Sequence, residues 1–260
     1  STSSSSVGAD PQLSAQADAE AAGLKALASS TLSGSLAGAK IALVVAPGAS
    51  DDDVSALRST LTDAGASVVG RVTLSDNWQS TSMSQYRTTL STTLASHLTS
   101  GAAKTASADG VVGYSIAQVL TSTGSETDLL RQILTDESTP IMTIDEDPSG
   151  TATTIVAVGP RAQASASSGS TPTAVTASTD AWVGLAQAVG STSGVLVGDA
   201  STRDAMVSQV RASGTAVTTV DSVGTTLAAV DAALALATPS PNARAYGVGT
   251  GAQSVIPPTK

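Results

Sequence analysis

Cysteine and phenylalanine are both missing from these 260 residues, and all aromatics together make up only 2% of them. Without cysteine there can be no disulfide, no thiolate metal site and no cysteine nucleophile. This does not fix the compartment, because many exported proteins also lack it. Without phenylalanine, a core has to be assembled from Ala, Val and Leu through many small contacts rather than a few large rings. Charge is scarce too, at 13%, with a net value of −9 and a pI near 4.4. The lysines, Lys25, Lys40, Lys104 and Lys260, do not cluster. Such a surface repels phosphate backbones and anionic lipid, which sets nucleic-acid binding aside. No run of about 18 apolar residues is present, so nothing in this sequence reads as a membrane span.

What is present is Ser, Thr and Ala in quantity, and an apolar fraction of 41%. Residues 1–10, opening on a Ser tract, read as a disordered juxtamembrane tail left by processing or by excision from a longer chain. Residues 11–36 read as an N-terminal helix, started by Asp10-Pro11. Its stripe Leu13, Ala17, Ala21, Leu24 and Leu27 suits either a dimer seam in a short coiled coil or a helix packed on the domain. A strict heptad through Leu13, Ala17, Leu24 and Leu27 would put Glu20 in that seam.

Residues 37–257 read as a single extracytoplasmic α/β domain. Ile41–Val45 is a continuous apolar run, as in a strand buried on both faces. Asp51-Asp52-Asp53 then places negative charge at a helix N-terminus. Val54, Leu57, Leu61 and Ala64 give that helix its inner face, Gly65 ends it, and Ser67–Leu74 is the next strand. The same syntax returns in a strand at Gly194–Gly198, a helix over Arg203–Ala212 and a strand at Ala216–Val220. A helix over 225–237 and a strand at Ala245–Val248 close the chain. Between these stretches, the pattern predicts helices over Met83–Leu98 and Val111–Leu120, and a third from Ser125, read as its cap, with Leu129, Leu130, Ile133 and Leu134 inward. A mobile loop is expected over Gly101–Ser107, strands at Pro140–Asp145 and Thr153–Val158, a low-complexity loop over Ala162–Thr173, and a helix from Ala174 that turns Trp182 and Val183 inward. The expected fold is α/β: a mostly parallel sheet with flanking helices, Rossmann-like, built from two similar βαβ halves.

Several constellations invite a chemical reading, and each has a plainer one. Gly113-Tyr114-Ser115-Ile116-Ala117 has the outline of a nucleophile elbow, but the only histidine, His97, precedes the serine and the context is helical. Gly247-Val-Gly249-Thr-Gly251 resembles a phosphate loop but opens no helix, so turns and close packing explain it better. Asp145-Glu146-Asp147 lies beyond a strand, where hard cations are sometimes held, although an exposed acidic turn is the commoner arrangement. Met83, Met142, Met206 and His97 are too scattered for a copper site. No catalytic residue, cofactor site or metal ligand is therefore assigned. Trp78, Tyr86 and Tyr114 fall outside the clear βαβ units and are the candidate partner-binding residues, or else they fill gaps in an aromatic-poor core.

The order Ser33-Gly-Ser-Leu-Ala-Gly38, Ile41-Ala-Leu-Val-Val45, Asp51-Asp-Asp-Val54 and Ala64-Gly65-Ala66, with Tyr246-Gly-Val-Gly-Thr-Gly-Ala252 and Ser254-Val255 at the end, resembles the mycobacterial copper transport protein B family. The resemblance covers nearly the whole chain. It implies an actinobacterial envelope protein with one plasma-membrane helix, a coiled-coil stretch and an extracytoplasmic domain, of which this chain would be the last two parts. It also implies one of two roles. The first is copper efflux or tolerance. The second is septation (the Ste naming), as a scaffold or regulator joined to a cytoplasmic septation partner through the membrane segment and to a peptidoglycan hydrolase outside. The residues favour the non-enzymatic scaffold, with a homodimer open to it. A small-ligand-binding sensor is a third reading, since open α/β sheets bind small molecules beyond their strand ends.

Overall fold

Five of the six residues of strand β1, Lys40–Val45, are apolar, and all five are buried. In the computed structural model, which describes residues 10–162 and 176–259, β1 lies inside a seven-stranded sheet. The other strands are β2 (Ser67–Leu74), β3 (Met142–Glu146), β4 (Thr154–Val158), β5 (Val195–Val197), β6 (Thr218–Val220) and β7 (Ala245–Tyr246). Their order is β3-β2-β1-β4-β5-β6-β7. All neighbours are parallel except β3, which returns antiparallel along β2. Ile41 pairs with Val68 on one side and Thr154 on the other, so β1 has covered neighbours everywhere.

The two-residue period of a strand sorts the sheet's side chains into two cores. Ile41, Leu43, Val45, Val156, Val158, Val195 and Val197 face one helical layer, while Ala42, Val44, Ile155, Ala157 and Leu196 face the other. The first layer is α1 (Pro11–Leu32), α2 (Asp51–Asp63) and α10 (Thr226–Ala237). The second contains α3 (Asp76–Gln79), α4 (Ser84–Ala95), α5 (Gly101–Lys104), α6 (Ala108–Thr121), α7 (Ser125–Leu134), α8 (Thr179–Ser191) and α9 (Met206–Ala212). The units β1-α2-β2 and β5-α9-β6 put their crossover helices on opposite faces, as right-handed connections running outward in opposite directions require.

In the second layer, α6 and α8 approach closely at glycines. A Cβ on Gly113 would collide with the Gly184 carbonyl, and one on Gly184 with the Asp109 carbonyl. Fully buried Arg87 of α4 ties this layer together, with Nε 2.7 Å from Asp109 and Nη1 donating to the carbonyls of Asn77 at 3.0 Å and Ser80 at 2.6 Å.

Helix α1 begins as expected, with Pro11 in its first turn and the Asp10 side chain accepting from the Gln12 N–H at 3.0 Å. Every residue from Pro11 to Glu20 is exposed, and burial starts only with Ala21, Leu24, Ala28 and Leu32. The N-terminal half of the helix therefore stands free, while the C-terminal half packs on α10.

Some boundaries move from the sequence expectation. Gly101–Lys104 is a short helix rather than loop, because Ala103 finds a place in the core. The helix expected from Arg203 starts at Met206, after the turn in which Asp199 holds Ser201. The cap of α7 is Gly124, at φ 129, and Ser125 is already inside the helix. The tail over 1–9 and most of the loop over 162–173 lie outside the described residues.

Candidate functional site: a groove between three helices

Where α1 leans against the first layer, it does not fill the space beside it. Lys25, Ala28, Ser29 and Leu32 of α1 form one wall of a groove of about 390 Å³. Ala56, Leu57, Thr60 and Asp63 of α2 form the second wall, and Val223–Thr226 with Ala228, Ala229 and Val230 of α10 form the third. The floor is apolar and made of small side chains, so a ligand can come close to the backbone. The fringe carries hydroxyls from Ser29, Ser59, Thr225 and Thr226, together with one cation, Lys25, and an exposed anion, Asp63. Asp53 also lines the groove; its carboxylate is buried and held by Arg161 through two hydrogen bonds of 2.7 and 2.8 Å. Gly224, at φ +88, lies against that guanidinium, where any side chain would collide. The groove offers shape and apolar area edged with hydrogen-bonding groups, which suits recognition of another surface.

A second concentration of polar groups lies at the carboxyl ends of β5, β6 and β7. Buried Asp221 accepts from the N–H groups of Val248 at 3.0 Å and Gly249 at 2.9 Å, from Ser222 Oγ at 2.7 Å and from Arg211 Nη1 at 3.0 Å. Burial works against its charge, but these donors outweigh it and hold the carboxyl below the ordinary aspartate range. The glycine-rich loop 247–251 thus cradles an anion supplied by the protein itself. Arg211 also donates to the carbonyls of Tyr246 at 3.0 Å and Thr250 at 2.9 Å, tying the loop to α9. On the inner side of α10, Asp231 is fully buried and neither carboxyl oxygen has a partner among the described residues. Burial, and then the charge of Asp221, push this carboxyl up to about 7.

Comparison with known families matches residues 6–257 to the family described as "Copper transport outer membrane protein, MctB". The chain belongs to the MctB family. Among curated proteins, no relative matches it.

Within this MctB-family chain, the sequence-derived candidates scatter. Trp78 is fully buried in the second layer, in keeping with the second of its two readings, the filling of a gap in the core. Tyr86 and Tyr114 are half-buried against the same core. In the proposed seam, Leu13 is 63% and Leu27 73% exposed, Ala17 is exposed, and Ala21 and Leu24 are partly covered. The face of α1 that packs on the domain runs instead through Leu24, Ala28 and Leu32.

Ser115 lies inside α6, fully buried, with Oγ donating to the Val111 carbonyl at 2.7 Å; the Gly113 before it serves the contact with α8. Each residue of the acidic turn meets an arginine: Asp145 meets Arg71 at 3.3 Å, Glu146 meets Arg58, and Asp147 meets Arg131 at 2.5 Å. The hydrogen bond from Arg58 holds Glu146 below its ordinary pKa. His97 lies 2.6 Å from Glu126, while Met142 and Met206 are buried. Among the described residues, no three His, Cys, Asp or Glu side chains gather as metal ligands, and no helix is long and apolar enough to cross a membrane.

The sequence reading missed the groove, Asp221 and Asp231. Asp231 did leave a trace, as the only charge in Thr-Leu-Ala-Ala-Val-Asp-Ala-Ala-Leu-Ala-Leu-Ala. A groove between helices that are distant in sequence leaves none.

Proposed function

We propose that this MctB-family chain is the non-enzymatic, extracytoplasmic part of an envelope scaffold or regulator, anchored in the plasma membrane, which receives a segment of another envelope protein in the α1–α2–α10 groove. The observation that carries the reading is the groove itself: open, floored with Ala, Leu and Val, and edged by hydroxyls. A peptidoglycan hydrolase or another division protein is the occupant in view, with a cytoplasmic septation partner reached through the membrane segment. The exposed N-terminal half of α1 with Leu13, and Leu27 turned outward farther along, are compatible with pairing of two copies. We also read the sheet as Rossmann-like, made of two βαβ halves, because its order reverses between β1 and β4.

The test is crosslinked affinity capture from cells with the full-length anchored protein and with Ser29→Arg and Ala56→Arg, two exposed positions at the groove mouth. Capture of a wall hydrolase or septal protein that both variants lose supports the reading. Equal capture by the variants, or recovery of no wall or division protein, sinks it.

A second reading, envelope copper efflux or tolerance, rests on the family's description. Calorimetric titration of the purified chain with Cu(I) and Cu(II) checks it directly. A stoichiometric binding isotherm would move copper to first place.

A further inference from the structure

Helix α10 packs against α1, α2, β5 and β6, and it carries one charged residue, Asp231, fully buried. Neither carboxyl oxygen meets a donor among the described residues. An ionised carboxylate in such a place is strongly unfavourable, whereas the neutral acid is tolerable, so its proton is held against the pull of neutral water. The surrounding groups offer no relief. Asp221, at the end of β6, adds a charge of the same sign, and Tyr246 of β7 is the other titratable neighbour. Arg211 is occupied by Asp221, Thr219 and two carbonyls, and Arg244 acts on Tyr246. Strand β5, Val-Leu-Val, contributes no charge. Lys25 of α1 and Asp53 and Asp63 of α2 line the groove, whose walls do not include Asp231.

The same helix supplies Thr226, Ala228, Ala229 and Val230 to the groove. One buried element therefore carries both the unpaired acid and the residues of the groove's third wall, with Ala228 one helical turn from Asp231. We propose that Asp231 is a proton-operated latch: neutral, it lets α10 sit closed on β5 and β6, and ionised, it draws water beneath the helix, unseats α10 and reshapes the groove. The closed form belongs to the acidic side and the loosened form to the alkaline side. Any effect on a partner rests on the groove reading above. The latch itself does not, and the test below uses no partner, so either can fail alone.

The experiment is hydrogen–deuterium exchange of the whole chain between about pH 6 and pH 8.5, with rates corrected for the intrinsic pH dependence of exchange. Protection of α10 amides should fall by about tenfold or more across that range, while α6 amides hold steady. In Asp231→Asn the α10 profile should be flat. If wild-type α10 and α6 change alike, or if Asp231→Asn shows the same fall, the latch does not exist. Should that variant not fold, a carboxyl-carbon NMR titration of the wild type decides: one aspartate midpoint near neutrality supports the latch, and a full set in the ordinary aspartate range overturns it.

Discussion

Replacing Asp231 with asparagine should change how stability depends on pH, and the structure sets both sign and size. In the unfolded chain this carboxyl titrates at the ordinary value of 3.8, and in the folded chain at about 7. Below the lower value both states hold the proton and the group contributes nothing. As pH rises, the unfolded state releases its proton while the native state keeps it, so stability falls until the native carboxyl also ionises, and is flat beyond. At about 1.4 kcal/mol per pH unit, the gap between the two values corresponds to a loss on the order of 4 kcal/mol. Asparagine is nearly isosteric and has no charge to lose, and its unpartnered amide costs roughly what the unpartnered acid does. The two proteins should therefore match near about pH 3, and at about pH 8 the variant should be more stable by roughly 3–4 kcal/mol. For a chain of this size, that corresponds to a melting temperature higher by roughly 5–15 °C. Urea melts followed by far-UV circular dichroism at several pH values measure it. Parallel stability curves for the two proteins, or a variant that is weaker at pH 8, would refute the reasoning.

Asp221 carries the opposite sign: its stabilising effect is present above the ordinary aspartate value and is lost as pH falls through its lower native one. Asp221→Ala should cost roughly 3–5 kcal/mol in urea melts, since it strands buried Arg211 and frees the Val248 and Gly249 N–H groups; a loss under about 1 kcal/mol would contradict the cradle. Gly184→Ala should cost roughly 1–3 kcal/mol by forcing α8 off α6. Gly23→Ala, in open space on the exposed side of α1, should gain up to about 1 kcal/mol; if the two substitutions behave alike, close packing is not what singles out Gly184. The double variant Leu24→Asp, Leu27→Asp should halve the solution mass of a dimer by light scattering, and an unchanged mass would rule out α1 as its seam.

The regular parts of the fold were legible because their signals are local. The apolar run Ile41–Val45, the Asp51–Asp53 start and Gly65, which adopts φ +107, each follow from the residue and its immediate neighbours. Misjudged elements were those decided at a distance. The short helix at Gly101 depends on burying Ala103, and the capping position of α7 falls to Gly124 because the chain reverses there. From the sequence, Trp78 suits either a contact surface or a core gap because nothing nearby decides it; its burial is set by elements from other parts of the chain, α8 among them. Likewise, the acidic turn looked like a free cluster until β2, α2 and α7 brought an arginine to each of its residues. The glycine loop was read as close packing, and it is. That the packed object is a carboxylate depends on β6 lying beside β7.

The uneven distribution of aromatic residues has a practical corollary. Both tryptophans, Trp78 and Trp182, report on the layer built from α4, α6 and α8. The opposite layer, with α1, α2 and α10, has only Tyr246 as an aromatic. Intrinsic fluorescence therefore sees one side of the sheet. A melt recorded that way would follow the α6–α8 contact faithfully while loosening of α10 passed in the dark. A tryptophan introduced at Leu236, half-buried on α10 against the first layer, would give the groove side its own optical signal.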